Sequence, residues 1–141
     1  MTHPHEIAFI DPAITDIDAL LSGLRPDVEA IILSRTDPAV AQMARAVERQ
    51  TDIGAIHVIA HGLPGEVSFA AGALSVETID DEAAGLRDLG AALGADGILS
   101  IWACHTGAGE RGDAFTDMLA KTTGTRVATA GVLVGLSLIH I

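Results

Sequence analysis

The chain is poor in the features that most readily announce a function. One of its 141 residues is cysteine, Cys104, so no disulfide forms within the chain and no oxidised scaffold holds the fold. Tyrosine is absent, and three phenylalanines and one tryptophan leave the core to aliphatic side chains. Eight lysines and arginines stand against 19 aspartates and glutamates, for a formal charge of −11. A chain so short of cations lacks the clustered Lys and Arg that neutralise phosphates, so nucleic acid is not an expected partner. An anionic membrane surface is disfavoured for the same reason. No apolar run reaches the ~20 residues of a membrane span, so no membrane insertion is expected. Residues 1–5 are polar and lead straight into a strand pattern, so no signal peptide is read. There is no Gly-x-Ser-x-Gly elbow, which disfavours a serine hydrolase. The glycine-rich stretch 107–112 lacks the Gly-Lys-Ser/Thr ending of a phosphate-binding loop.

What is present is a large apolar fraction, 49%, with a mean hydropathy of +0.41. That composition argues against disorder, and the length suits one domain. The segment Leu136-Ser137-Leu138-Ile139-His140-Ile141 follows Gly135 abruptly. Those six residues are the in-frame translation of a common sequencing-transposon adapter end, CTG TCT CTT ATA CAC ATC. Residues 1–135 are therefore expected to form a single α/β domain, with 136–141 a non-native tail on a truncated metagenomic frame.

Hydrophobic periodicity divides the chain into alternating elements. Residues 6–10 read as a strand stopped by Asp11-Pro12, and Thr15 or Asp16 is placed to cap a helix through Ile17, Leu20, Leu21 and Leu24. A second strand is expected over 29–34. Asp37-Pro38 then fits a helix N-cap followed by proline at the first helical position. Val40, Met43, Ala44 and Val47 give that helix its apolar stripe. A third strand covers 55–60, and residues 67–69 and 73–76 alternate around Ala71-Gly72 as a hairpin. One helix is expected over 79–93, a fourth strand over 98–103, a helix through Phe115, Met118 and Leu119 ended by Gly124, and a fifth strand over 126–130. Strands that alternate with helices pair in parallel through right-handed crossovers. The expected fold is a three-layer α/β/α sandwich with a mainly parallel sheet of about five strands and a small hairpin after the third.

Two of these strands carry reactive residues at their carboxyl ends. Ala55-Ile56-His57-Val58-Ile59-Ala60 delivers His61-Gly62, and Gly97-Ile98-Leu99-Ser100-Ile101-Trp102-Ala103 delivers Cys104. Both are near-continuous apolar runs, as strands buried on both faces are. Chemistry in open α/β sheets collects at the carboxyl ends of strands. A thiol needs a group that manages its proton, and imidazole titrates in the right range. Gly62 would let a substrate approach the backbone closely, and the backbone N–H groups of Gly62 and Cys104 are candidate oxyanion donors.

His-Gly after one apolar strand and Ala-Cys after the next, with a hairpin and a helix between, resembles the caspase-like cysteine peptidases. That group includes caspases, legumain, gingipains, separase and CHAT domains. The resemblance implies a catalytic dyad of His61 and Cys104. A closer similarity, over about residues 7–135, is to a bacterial domain of unknown function found near the N-termini of very large secreted or surface adhesin-like repeat proteins. It is carried by Phe9-Ile10-Asp11-Pro12-Ala13-Ile14-Thr15-Asp16, by Ile56-His57-Val58-Ile59-Ala60-His61-Gly62-Leu63-Pro64-Gly65, by Ala103-Cys104-His105-Thr106-Gly107-Ala108-Gly109, and by residues 119–130. It implies a place in a bacterial protein at the cell surface or outside the cell. It also implies a thiol peptidase acting on a peptide or on its own parent chain, or alternatively a non-catalytic module for folding, sorting or protein interaction. The chain departs from the pattern at Thr129-Ala130-Gly131, where a Ser- or Asp-containing turn is expected, so no substrate contact is carried onto the last strand.

Other polar residues have plainer readings beside their functional ones. Asp11, at the end of the first strand, either lines a pocket or caps the following turn. His105 either borders the same pocket or belongs to variable loop chemistry. A metal held by His57, His61, Cys104 and His105 is disfavoured, because a strand would space positions 57 and 61 ~13 Å apart. His57 instead reads as a core histidine. Glu77, Asp80, Asp81 and Glu82 read as a solvated helix start. No cofactor and no metal are called for.

Overall fold

The computed structural model describes residues 5–131. Five strands, β1 (Glu6–Ile10), β2 (Val28–Ile32), β3 (Ile53–Ile59), β7 (Leu93–Trp102) and β8 (Arg126–Thr129), form one sheet in the order β2-β1-β3-β7-β8. Every pairing in it is parallel. A second, antiparallel sheet holds β4 (His61–Leu63), β5 (Glu66–Phe69) and β6 (Gly72–Ser75). The mixed α/β fold with a five-stranded parallel sheet and a small hairpin unit is the one the periodicity predicts.

The two layers flanking the main sheet are unequal. On one face α2 (Ala39–Val47), α3 (Ala83–Ala92) and α4 (Gly109–Thr123) bury Met43, Leu86, Leu89, Phe115 and Leu119 against Phe9, Ile56, Leu99 and Ile101. The small sheet adds Val67, Phe69 and Leu74 to this core. On the other face the short α1 (Ile17–Gly23) sets Leu20 over Ala8, Ile10 and Ile59, and Trp102 packs at the margin of that cluster. Ile7, Ala8, Phe9 and Ile10 are all fully buried, because β1 is covered on both faces.

Several boundaries differ from the periodicity for local reasons. β2 spans Val28–Ile32 rather than 29–34, because Ser34 belongs to a side-chain-stapled loop. Gln42 reaches back to the carbonyls of Ser34 and Asp37 and accepts from the Ser34 N–H. That staple leaves Pro38, not Asp37, at the N-cap of α2, with the Pro38 carbonyl accepting from the Gln42 N–H. Asp16 does occupy the N-cap of α1, but in a left-handed conformation and with no capping hydrogen bond from its side chain. The helix expected over 79–93 divides into a 3-10 turn, Ile79–Glu82, and α3. Leu93 already opens β7, which is longer than expected and carries an irregularity opposite Ile53 and Ala55. Gly124 closes α4 at φ 72°, donating to the Ala120 carbonyl as a C-terminal glycine does. The proposed tail, 136–141, lies outside the described residues.

Candidate active site

The chain order of the main sheet reverses between β1 and β3, since β2 lies to one side of β1 while β3, β7 and β8 lie to the other. Loops diverge at such a switch point and leave a crevice at the carboxyl edge. Three strand ends are tied together there. The Asp11 N–H donates to the Ile59 carbonyl at 2.8 Å, and the Ala60 N–H donates to the Trp102 carbonyl at 3.3 Å. Ile59↔Trp102 is the last pair of that register, and His61 and Cys104 each follow two residues later.

His61 leaves the main sheet as the first residue of β4, and its side chain is exposed. Its Nε2 lies 3.1 Å from the Ala13 carbonyl oxygen, across the switch point. A carbonyl only accepts, so Nε2 carries the proton and the Nδ1 of the neutral ring keeps its lone pair. The N–H of Ala13 is held by the Asp11 carboxylate. That carboxylate is 1% exposed; Oδ2 accepts the Ala13 N–H at 3.1 Å and Oδ1 accepts the Ala70 N–H at 2.9 Å. Asp11 therefore caps the turn after β1 and fastens it to the turn between β5 and β6.

Cys104 is half-buried in the turn that follows β7. Helix α4 begins at Gly109, so Cys104 lies in the turn before that helix and not in its first turn. The turn passes through His105 at φ 58°, exposed, and then through Thr106, fully buried. Thr106 joins the two halves of the site: its Oγ1 donates to the Glu66 carbonyl at 2.9 Å, and its own carbonyl accepts the Gly65 N–H at 2.9 Å. On the far side the Gly107 N–H donates to the Ala130 carbonyl at 2.8 Å.

Gly62 is where the two halves touch. A Cβ there would lie 2.4 Å from Thr106 Oγ1 and 2.7 Å from the Cys104 carbonyl oxygen. The close approach that this glycine permits is thus made by the Cys104 turn itself. Arg111 closes the arrangement from α4, donating through Nε to the Pro64 carbonyl at 3.2 Å and through both Nη atoms to Glu77 at 2.7 and 2.8 Å. The Arg111 hydrogen bonds hold the Glu77 carboxyl down at about 2. Beside the end of β7, a shallow and mainly apolar groove of about 150 Å³ is lined by Ser100, Trp102, Ala128 and Ala130, among others.

His57 does not join this site. It is buried in β3, with Nε2 2.8 Å from Glu6 Oε1 and Nδ1 3.1 Å from the indole nitrogen of Trp102. Among the described residues no group of three or more His, Cys, Asp or Glu is placed to hold a metal ion. The sequence offered no sign of Thr106, Arg111 or the Ala13 carbonyl as parts of the site. Thr106 at least lies inside the Ala-Cys-His-Thr-Gly segment that marked the turn.

No curated protein matches the chain. A family model described as Domain of unknown function (DUF4347) matches residues 7–138, which include both strand ends and every residue that fixes them. The chain belongs to the DUF4347 family.

Proposed function

We propose that the domain is a caspase-like thiol peptidase in which Cys104 is the nucleophile and His61 transfers the proton. The observation that carries this reading is the orientation of His61. Its Nε2–H is spent on the Ala13 carbonyl, so the lone pair of Nδ1 remains for proton transfer at the edge where Cys104 lies one strand away. Cys104 Sγ adds to a peptide carbonyl, the proton passes through His61 to the departing amine, and water then releases the acyl group from sulfur. The backbone N–H groups of Gly62 and Cys104 are the proposed oxyanion donors. The apolar groove beside Trp102 suits a neutral substrate side chain. Asp11 acts at a distance by holding Ala13, and exposed His105 borders the cleft. The substrate is a peptide of the longer bacterial surface or secreted protein to which the domain is attached, cleaved in self-processing.

The test is cleavage of that longer chain on expression. The wild-type chain should process, while Cys104→Ala and His61→Ala should remain intact. Processing that persists in Cys104→Ala would sink the proposal and favour a non-catalytic folding, sorting or interaction module.

A further inference from the structure

The network around His57 lies outside the machinery assigned to Cys104, yet it ends on Trp102, two residues before that thiol in the chain. Its hydrogen-bond directions are fixed by chemistry. Indole nitrogen only donates, so the 3.1 Å contact requires His57 Nδ1 to accept. The neutral ring then carries its single proton on Nε2 and donates it to Glu6 Oε1 at 2.8 Å. A second proton can enter only at Nδ1, where it would face the Trp102 N–H. Two donors cannot share a hydrogen bond, and His57 is only 7% exposed, so water has little access to its Nδ1.

We infer that His57 is a proton-sensitive positioning residue for Trp102: taking up a proton at Nδ1 releases the indole and loosens the end of β7 next to Cys104. One ion-paired carboxylate faces the ring. Glu6 of β1 faces Nε2, and its other oxygen is bonded to Arg25 from the loop before β2, with Asp27 3.8 Å from Arg25 on the far side. Burial pushes the Glu6 carboxyl up, but hydrogen bonds from His57 and Arg25 outweigh it and hold the group below its usual range. Glu6 therefore stays anionic as His57 gains its proton, and that end of the ring remains paired. On β7 the residue opposite His57 is Ser100, which is uncharged. From α1 and its flanks the cluster at this face receives Ile14, Ile17, Leu21 and Leu24, all apolar. The strain of protonation thus falls on the Trp102 bond. Trp102 is only half-buried, at the margin of the cluster short α1 covers, so the indole has solvent to turn toward.

Trp102 is the only tryptophan in the chain, so its emission reports the surroundings of that one indole. Emission followed from pH 8 to pH 5 should show a reversible shift toward longer wavelength, with the far-ultraviolet circular dichroism unchanged. The shift should vanish in His57→Gln and survive in His61→Ala and His105→Ala. A shift that persists in His57→Gln, or is lost in His61→Ala, would overturn the inference. Should His57→Gln fail to fold, the wild-type protein supplies the answer through its single indole N–H resonance. That resonance should move and exchange faster with water as the His57 ring takes its second proton. An indole resonance unmoved while the His57 ring titrates would contradict the mechanism. Neither readout depends on peptidase activity, so failure here and failure of the proposed function are separate results.

Discussion

A buried carboxylate needs donors, and Asp11 has two, both backbone amides from different loops. Its effect reaches His61 through Ala13, whose N–H it accepts and whose carbonyl accepts from His61 Nε2. Asp11→Ala leaves two amide donors without that acceptor and should cost roughly 2–4 kcal/mol of stability, since hydrogen bonds to charged groups are the stronger kind. Urea unfolding measures that loss. At this scale the strand-end placement of His61 and Cys104 was legible because each follows an apolar run. The Ala13 carbonyl was not, because a backbone acceptor leaves no trace in side-chain identity. Asp11 could be read two ways from sequence, as pocket wall or turn cap, and its hydrogen bonds are those of a cap. Gly62 was read as room for a substrate, whereas the space beside it is filled by Thr106 and the Cys104 carbonyl.

Between elements, the site depends on clamps that hold the small sheet against the Cys104 turn. One is Thr106, buried and bonded to β5. The other is the fork of Arg111 from α4 onto Glu77 and Pro64. Glu77 is exposed and its folded carboxyl is depressed from 4.5 to about 2, so its contribution is present above pH 4.5 and is lost as pH falls toward 2. Arg111 keeps its charge throughout. Glu77→Gln should therefore lower the urea midpoint modestly at pH 6 and leave it nearly unchanged at pH 2, with the gap closing across that window. Added salt should narrow the gap at pH 6, as it does for exposed pairs. The main strands were legible because each is a short apolar run between turn signals. β4 was not, because His61-Gly62-Leu63 shows no alternation and is drawn into pairing by the Pro64-Gly65 turn and Thr106. The helix over 79–93 broke for a related reason: its leucine spacing continues through Leu93, but Leu93 pairs with Ile53 as the first residue of β7.

For the molecule as a whole, the strand order decides where chemistry can occur. Alternation of strands and helices was enough to give the parallel sheet, but not the reversal between β1 and β3, which depends on which side of β1 each crossover lands. That reversal brings the turn of Asp11 and Ala13 to His61, with Cys104 at the next strand end. Because the chain has one cysteine, alkylation read by mass spectrometry reports on this site alone. The most direct test is the rate at which a neutral alkylating reagent modifies Cys104 in folded wild type and in His61→Ala at pH 6. Proton transfer through His61 predicts a rate lower by about 10-fold or more in the variant, at the modest end of what a positioned acid–base group contributes. Equal rates in two folded proteins would contradict the account.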